Sequence, residues 1–554
     1  MNELPLLFRI LLARQTLYIF ACSLAIGCGI GRLTNSLYSF QDHRPVGDPE
    51  RRVDGNAGHR SIDFGGQWLM GRMLVTGHGR ELFSRPRQWE VTQQAYPPDR
   101  ESPNSEQHDP ELLIQHFMGT EDPRWRDFAG STAALIGSSN PFQQAAVAMQ
   151  ARPDWSEQRL HELTHPQKEI GIGGPLYPPI HAFVMAPFAT GDHPQAAYFS
   201  MQIVQTLLCY LAGLGVTRLS NGRIWWPLAS SLILLYPGCR GVVDLGQNSA
   251  LSLNLLIWGW VAIARGRLTL GGIVWGLLAY KPVWAVSFIL LLLLLRQWRA
   301  ALAMAYTGIA LILATLPFVG LHTWLHWLSI GQMATRTYNI DENWITLSRD
   351  LLGIPRRFLT DFSLPRAERD SLLAMFAGWA LWLIVVEITL RVFCLRTRRE
   401  VPFTGPLPAM LILTTWMCTY HFMYYDALLS SFGVCVLLAD PRPFFRIRSA
   451  VASDASGRRS IWMTNSFVLT VIAAMLLHEN VTQPIKIEAT AEVLSYTKEK
   501  THPDGRKEHV PIHLMFGTSD RYAIDTLLVL VLWTWCWIVV LGGAWKVNEE
   551  KRTG

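Results

Sequence analysis

Residues 244–296 read DLGQNSALSLNLLIWGWVAIARGRLTLGGIVWGLLAYKPVWAVSFILLLLLLR, and this stretch decides the fold class. From Asn248 to Ala264 no side chain is charged, and the run is apolar on every face at a length that suits a membrane crossing. Arg265 and Arg267 close it. The next apolar run, 268–296, is too long for one crossing and short for two, and Lys281-Pro282 interrupts it. We read two short helices meeting at that pair, a break tolerated in a membrane only where it is buried or lines a cavity.

The rest of the chain follows the same rule. Charged residues make up 17% of 554, against roughly 25% in soluble proteins, so a water-facing surface of this size cannot be coated. Further crossings are expected at 17–37, 195–217, 222–238, 299–319, 371–394, 461–477 and 523–545, with 402–439 broken around His421 to Asp426. The expectation is an all-α polytopic membrane protein with about twelve transmembrane helices and a large extracytoplasmic first loop. The layout is 1–37, the N-terminal segment and first helix, and 38–194, the first loop with a polar insertion at about 90–170. Helices two to seven occupy 195–319, a second outer loop 320–370 and helices eight to ten 371–439. A cytoplasmic loop covers 440–460, and two last helices within 461–554 flank an outer loop at 478–522.

Basic residues support an inner N-terminus, because Arg218, Arg223, Arg296, Arg299, Arg398, Arg399, Arg446 and Arg459 all fall in inner loops. Loop 478–522 goes against the rule, with Lys486, Lys498, Lys500, Arg506 and Lys507 on the outside. The net charge of +6 comes with no basic block interleaved with aromatics, so nucleic acid is not an expected partner. The eight cysteines are scattered singly and form neither a disulfide framework nor a metal spacing.

Four places carry candidate chemistry. Asp63 opens Asp63-Phe64-Gly65-Gly66-Gln67-Trp68-Leu69, whose apolar face (Phe64, Trp68, Leu69, Met73) suits a short helix lying at the membrane surface. Asp63 is either a cap on that helix or a functional carboxylate. Asp244, Gln247 and Asn248 lie at the outer end of two crossings, where Asp244 could bind a cation or pair with Lys281 or Arg240; the bland alternative is a cap with packing amides. Lys281 could clamp a lipid phosphate or snorkel to the interface. His421, Tyr424, Tyr425 and Asp426 form a polar knot between apolar runs, structural or functional.

In order and spacing these motifs resemble glycosyltransferase family 87. The resemblance rests on Asp244-Leu-Gly-Gln247-Asn248, Arg265-Gly-Arg267 and Lys281-Pro282, together with Tyr177-Pro178-Pro179-Ile180 before Ala186-Pro187 and Asp63-Phe64 before Gly77 and Leu82-Phe83. It covers about 60–83 and 175–440, with Trp68 where the family often has Tyr. It implies a GT-C fold and transfer of a hexose, mannose first, from a polyprenyl-phosphate sugar to a lipid, glycan or protein acceptor. The site would face the outside of the plasma membrane, among membrane lipids. Asp63 would be the general base and His421 a second polar group, with Asp244, Gln247, Asn248, Lys281 and Arg240 on the donor side. Because the leaving group is already a phosphate, one carboxylate suffices to take the acceptor proton, and single displacement implies inversion. No cofactor is required; a divalent cation near Asp244 is compatible but not demanded.

Two other classes compete. His161-Glu162-Leu163-Thr164-His165 fits the zinc-peptidase pattern HExxH, but Pro166 stops the helix at once and no third ligand motif follows. A transporter or non-catalytic membrane protein would also place charges inside apolar runs.

Overall fold

The computed structural model describes residues 13–40, 64–84, 87–88, 91, 176–191, 194–340, 342–361, 371–396, 401–439, 466–478, 497–501, 507–511 and 523–553. Asp63, the polar insertion at 90–170 with its HExxH motif, and the loop 440–460 lie outside these residues.

The chain is built from α1 (Arg14–Phe40), then two short helices of the first large loop, α2 (Gly66–Val75) and α3 (Ile180–Met185). A long helix, α4 (Pro194–Leu219), precedes five shorter ones: α5 (Trp226–Leu235), α6 (Cys239–Leu245), α7 (Ser249–Ala264), α8 (Leu268–Gly276) and α9 (Pro282–Leu294). α10 (Trp298–Ile340) follows, then α11 (Glu342–Leu347), α12 (Gly353–Leu359), α13 (Leu372–Arg396), α14 (Pro406–Met417), α15 (Ser430–Ala439), α16 (Ser466–His478) and α17 (Ile524–Thr553). Among the described residues five helices (α1, α4, α10, α13 and α17) are long and apolar enough to cross a membrane, and seven more apolar helices are shorter. One two-stranded antiparallel hairpin, Thr497–Thr501 with Lys507–Pro511, interrupts the helical architecture. Pro503-Asp504-Gly505 between its strands is a turn sequence that the expectation of an all-α chain passed over.

Two cores hold the protein. The larger gathers the inner faces of α4 to α9 with α14, α15 and α17; at its centre Trp260 and Trp275 stack at 5.9 Å, with Phe288 and Phe432 packed edge-on or tilted around them. The outer faces of α10 and α13 leave Leu302, Ile309, Leu313, Leu373, Phe376 and Leu383 exposed, as expected where lipid is the solvent.

The smaller core joins Phe64, Trp68, Leu69 and Met73 to Met185, Tyr198, Val319 and Ile330. This corrects the expectation for α2. Its apolar face does not lie against the membrane surface but is fully buried in protein. Gly71 shows how close the packing is: a Cβ there would stand 2.7 Å from the carbonyl carbon of Met185 on α3. Within α10 the chain breaks at Gly320 (φ 75°, ψ 161°), after Pro317 and one residue past the crossing anticipated at 299–319, and then resumes as helix to Ile340. The second part supplies Ile330 and Ala334 to the small core, so helix occupies the expected outer loop as far as Ile340.

Beyond α10, Arg349 and Asp525 form a buried ion pair at 2.7 Å that ties the 342–361 segment to the start of α17. Thr526 Oγ1 donates to the Arg349 carbonyl, and the Thr526 N–H is capped by Asp525 Oδ1.

Candidate functional site

The site begins where α6 ends. Gly246 takes φ 65°, a left-handed conformation that glycine adopts without a Cβ penalty, and its missing side chain leaves room for Phe64. A Cβ at 246 would lie 2.8 Å from the Cβ of Phe64. At the second position of α2, Gln67 completes the contact: its Nε2 donates to the Gly246 carbonyl at 3.0 Å, and its Oε1 accepts from Asn248 Nδ2 at 2.9 Å. Gln247 is held from two further directions. Its carbonyl accepts from Gln205 Nε2 of α4 at 2.7 Å, and its Oε1 accepts from the Tyr177 hydroxyl at 2.7 Å. Residues 246–248 are thus clamped by the first-loop helix, the Pro-Pro segment and α4. The two amides expected on the donor side are buried, 1% exposed each.

Beside this clamp lies the joint between α8 and α9. A 3-10 turn over Leu277–Tyr280 tightens the end of α8, Lys281 leaves helical geometry (φ −127°, ψ 78°), and Pro282 starts α9 where its missing N–H is harmless. Lys281 is 5% exposed, and its Nζ lies 2.8 Å from Asp426 Oδ1. Ser249 Oγ donates to the same carboxylate oxygen and stands 3.5 Å from Nζ. Trp284 Nε1 reaches Asp426 Oδ2 at 3.4 Å, Trp416 Nε1 donates to the Asp426 carbonyl, and the ammonium sits 5.5 Å from the Tyr425 ring centre. The groups that bond or face the pair are thus polar or aromatic, which is what a buried charge requires.

The partner of Lys281 differs from the expectation. Asp244 was the anticipated candidate, but Asp426, from between α14 and α15, takes the ammonium. Asp244 lies on α6 with its side chain outside the description, and Arg240 on the same helix is exposed.

The expected knot at 421–426 divides in two. Asp426 joins Lys281, whereas His421 (φ 42°) turns towards the 342–361 segment, where its Nδ1 is 3.8 Å from Asp350 Oδ2. That contact is not an ion pair: burial, and then the Arg356 charge, lower the His421 pKa to about 3, so the imidazole is neutral. Burial raises the pKa of Asp350, against the opposing pull of the Gly353 N–H and of Arg356 and Arg357. The backbone pins this second lobe too, through Arg349 N–H to the Phe422 carbonyl and Leu351 N–H to the Met417 carbonyl.

Four site groups were missed. Gln67 was read only as part of a helix face, and Ser249 as the start of an apolar helix. Tyr280 looked like one more aromatic, yet its hydroxyl bonds Ser252 at 2.6 Å and the Asn248 carbonyl at 3.2 Å. His181 is the fourth: on α3 it is fully buried, its ring stacked on Tyr177 (4.1 Å, 17°) and more loosely on Tyr280 (5.8 Å, 28°). The usable signal lay in the sequence: a histidine four residues after Tyr177, at the second position of the helix that follows the Tyr-Pro-Pro motif.

Among the described residues no group of three His, Cys, Asp or Glu side chains could hold a metal ion. The arrangement offers buried amide donors, one compensated cation and a neutral imidazole around one cluster, the equipment of a site that binds a polar, partly anionic ligand at the edge of a membrane.

Residues 176–421 match the family model of glycosyltransferase family 87, the family that the sequence resembles. Neither the curated proteins nor the solved structures contain a match. The matched region holds Tyr177, Gln247, Asn248, Lys281 and His421, and Asp426 follows five residues after it ends. With the long apolar helices, the match points to a membrane glycosyltransferase.

Proposed function

We propose that the protein moves a hexose, with mannose the first choice, from a polyprenyl-phosphate donor to an acceptor on the extracytoplasmic side, with inversion. Asp63 acts as general base. The observation that carries this reading is the clamp of Gln67 on Gly246 and Asn248. It fastens the loop helix that follows Asp63-Phe64 directly to the amides next to Lys281. The helix that follows the proposed base motif is thereby held against the residues that precede Ser249, a neighbour of the Lys281 ammonium, which supports the reading.

Asp63 takes the proton of the acceptor hydroxyl as the anomeric carbon is attacked, and the sugar–phosphate bond breaks with its electrons on the phosphate. An ammonium has three donors; Asp426 occupies one, and a second can turn to the departing phosphate, joined by the Gln247 and Asn248 amides. The lipid part of such a donor is also consistent with the surface. A cavity of about 130 Å³, lined by Gly276, Ala285, Val286, Ile289, Met304 and Ala305, lies on the two helices that meet at Lys281. The polyprenyl donor, the sugar and the side of the membrane rest on this reading and on the resemblance.

The test is Asp63→Asn in purified protein supplied with polyprenyl-phosphate mannose and a membrane extract. As base, Asp63 predicts a loss on the order of 10²–10⁴ in transfer rate with donor binding retained. As a helix cap it predicts almost none, because Asn caps as well as Asp. Near-normal turnover in the variant would remove Asp63 from the mechanism.

A further inference from the structure

His181 is an unusual residue to find fully buried. Both of its ring nitrogens lack a hydrogen-bond partner among the described residues. A buried polar atom left unpaired costs about 1–3 kcal/mol, and here two sit on one ring. A leucine or phenylalanine on the same helix face would avoid that cost, so packing alone does not account for the imidazole.

The ring cannot easily turn away to find partners. It stacks on Tyr177 and on Tyr280, and both tyrosines are anchored at their far ends. The Tyr177 hydroxyl is bonded to Gln247, and the Tyr280 hydroxyl to Ser252 and Asn248. Two of these three anchors, Gln247 and Asn248, belong to the amide clamp. Behind the ring, α3 is fixed on α2 by the close approach of Met185 to Gly71. A polar edge is held rigid, within one residue contact of the candidate donor cluster, with its hydrogen-bonding capacity unused.

The charge state narrows what that edge can bind. Burial, and then the Lys281 charge, lower the His181 pKa to about 3, so at neutral pH the ring is uncharged. A neutral imidazole has one N–H donor and one bare nitrogen acceptor. The donor's phosphate, a diester that is a monoanion at neutral pH, has no O–H and only accepts hydrogen bonds, so it would satisfy one nitrogen and repel the lone pair of the other. A hydroxyl both donates and accepts. Neighbouring sugar hydroxyls can satisfy both nitrogens.

We propose that His181 is a specificity residue that hydrogen-bonds a sugar hydroxyl in the site, on the donor hexose or on a saccharide acceptor. The proposal rests on the reading given under Proposed function and adds to it a residue outside the motifs that carry the family resemblance.

Two variants test it. His181→Phe keeps the stacked ring and removes both nitrogens; His181→Gln keeps a donor and an acceptor. Each is compared with the unaltered full-length protein for binding of polyprenyl-phosphate mannose and of bare polyprenyl phosphate, and for transfer to octyl mannoside. If the donor sugar is the ligand, His181→Phe loses roughly 10–100-fold in affinity for polyprenyl-phosphate mannose, keeps its affinity for polyprenyl phosphate, and His181→Gln recovers part of the loss. If the acceptor is the ligand, donor binding is unchanged and the KM for octyl mannoside rises by a similar factor. In either case thermal stability of His181→Phe is equal to or above that of the parent, because an unpaired buried group has gone. Unaltered binding and transfer in His181→Phe would overturn the proposal and leave the transferase reading intact. Failure of both variants to fold would also overturn it, since the residue would then be structural. A parent protein that binds and transfers nothing from polyprenyl-phosphate mannose would instead overturn the transferase reading, and this proposal with it.

Discussion

Two buried ion pairs of nearly equal length, Arg349–Asp525 at 2.7 Å and Lys281–Asp426 at 2.8 Å, sit in very different company. The first is part of a brace. The Arg349 guanidinium also donates to the Thr346 and Ser348 carbonyls, and Asp525 caps the first turn of α17, so each group is used up in holding backbone. The second is built from a single ammonium on a helix joint, and around it are side chains rather than backbone: Ser249, Trp284 and Tyr425. Arginine's planar fork suits a fixed multi-point anchor, whereas lysine is a compact charge whose donors can turn to a new acceptor. The difference separates a pair that stabilises the fold from one that is available for chemistry, although distance and burial alone would class them together.

The comparison is tested most strongly by replacing both members of each pair with apolar residues. Lys281→Met with Asp426→Leu is expected to fold and yet lose transfer by about 10²–10⁴, because the cation for the leaving phosphate is gone. Arg349→Met with Asp525→Leu should retain transfer within a few-fold. Equal activity in the two doubles would erase the distinction. Next in size is the single change Arg349→Met, which strands the Asp525 carboxylate and should lower stability by about 3–5 kcal/mol in detergent-phase unfolding, most of it recovered in the double variant.

A smaller effect concerns acid. His181 and His421 both have folded pKa values near 3, below the ordinary 6.5. Between these values the unfolded chain binds the extra protons, so stability is complete above pH 6.5 and falls as pH drops towards 3. From pH 7 to pH 5 each histidine should account for about 2 kcal/mol, and His421→Phe should flatten the pH dependence of unfolding by that share. Asp350, with its raised pKa, acts in the opposite direction, losing stability as pH rises through the range just above 3.8. The smallest change is Ser249→Ala, worth about 1 kcal/mol as one lost hydrogen bond to Asp426, and it should weaken donor binding while leaving the Arg349 brace untouched.

What could be read from the sequence and what could not follows from the range of the interactions. The break at Lys281-Pro282 is local: a charge and an imino acid inside an apolar run have one structural outcome. The amides at 247 and 248 were visible for the same reason, as polar groups at a depth where they are costly. Asp426 as the partner of Lys281 was not, because it lies 145 residues away and nothing periodic connects the two positions. Arg349 fell in the expected outer loop 320–370 and Asp525 at the start of the crossing expected at 523–545, and nothing local links the two positions. The face of α2 was read correctly as apolar and assigned to the wrong solvent, because lipid and protein interior ask for the same side chains. His181 escaped by resembling any single histidine in an apolar helix; only the geometry of its neighbours shows that it lacks partners.

The separation of Lys281 from Asp426 also has a consequence in time. A ribosome adding roughly 5–20 residues per second needs about 7–30 s to reach Asp426 after Lys281 has been made. Throughout that interval the nascent membrane segment contains an ammonium with no counter-charge, on a pair of helices each too short to span the bilayer comfortably. Membrane insertion of α8 and α9 is therefore expected to remain reversible until α14 and the residues that follow it arrive. A chain arrested before residue 426 should present Lys281 to water, where an amine-reactive probe would find it; a finished chain should not.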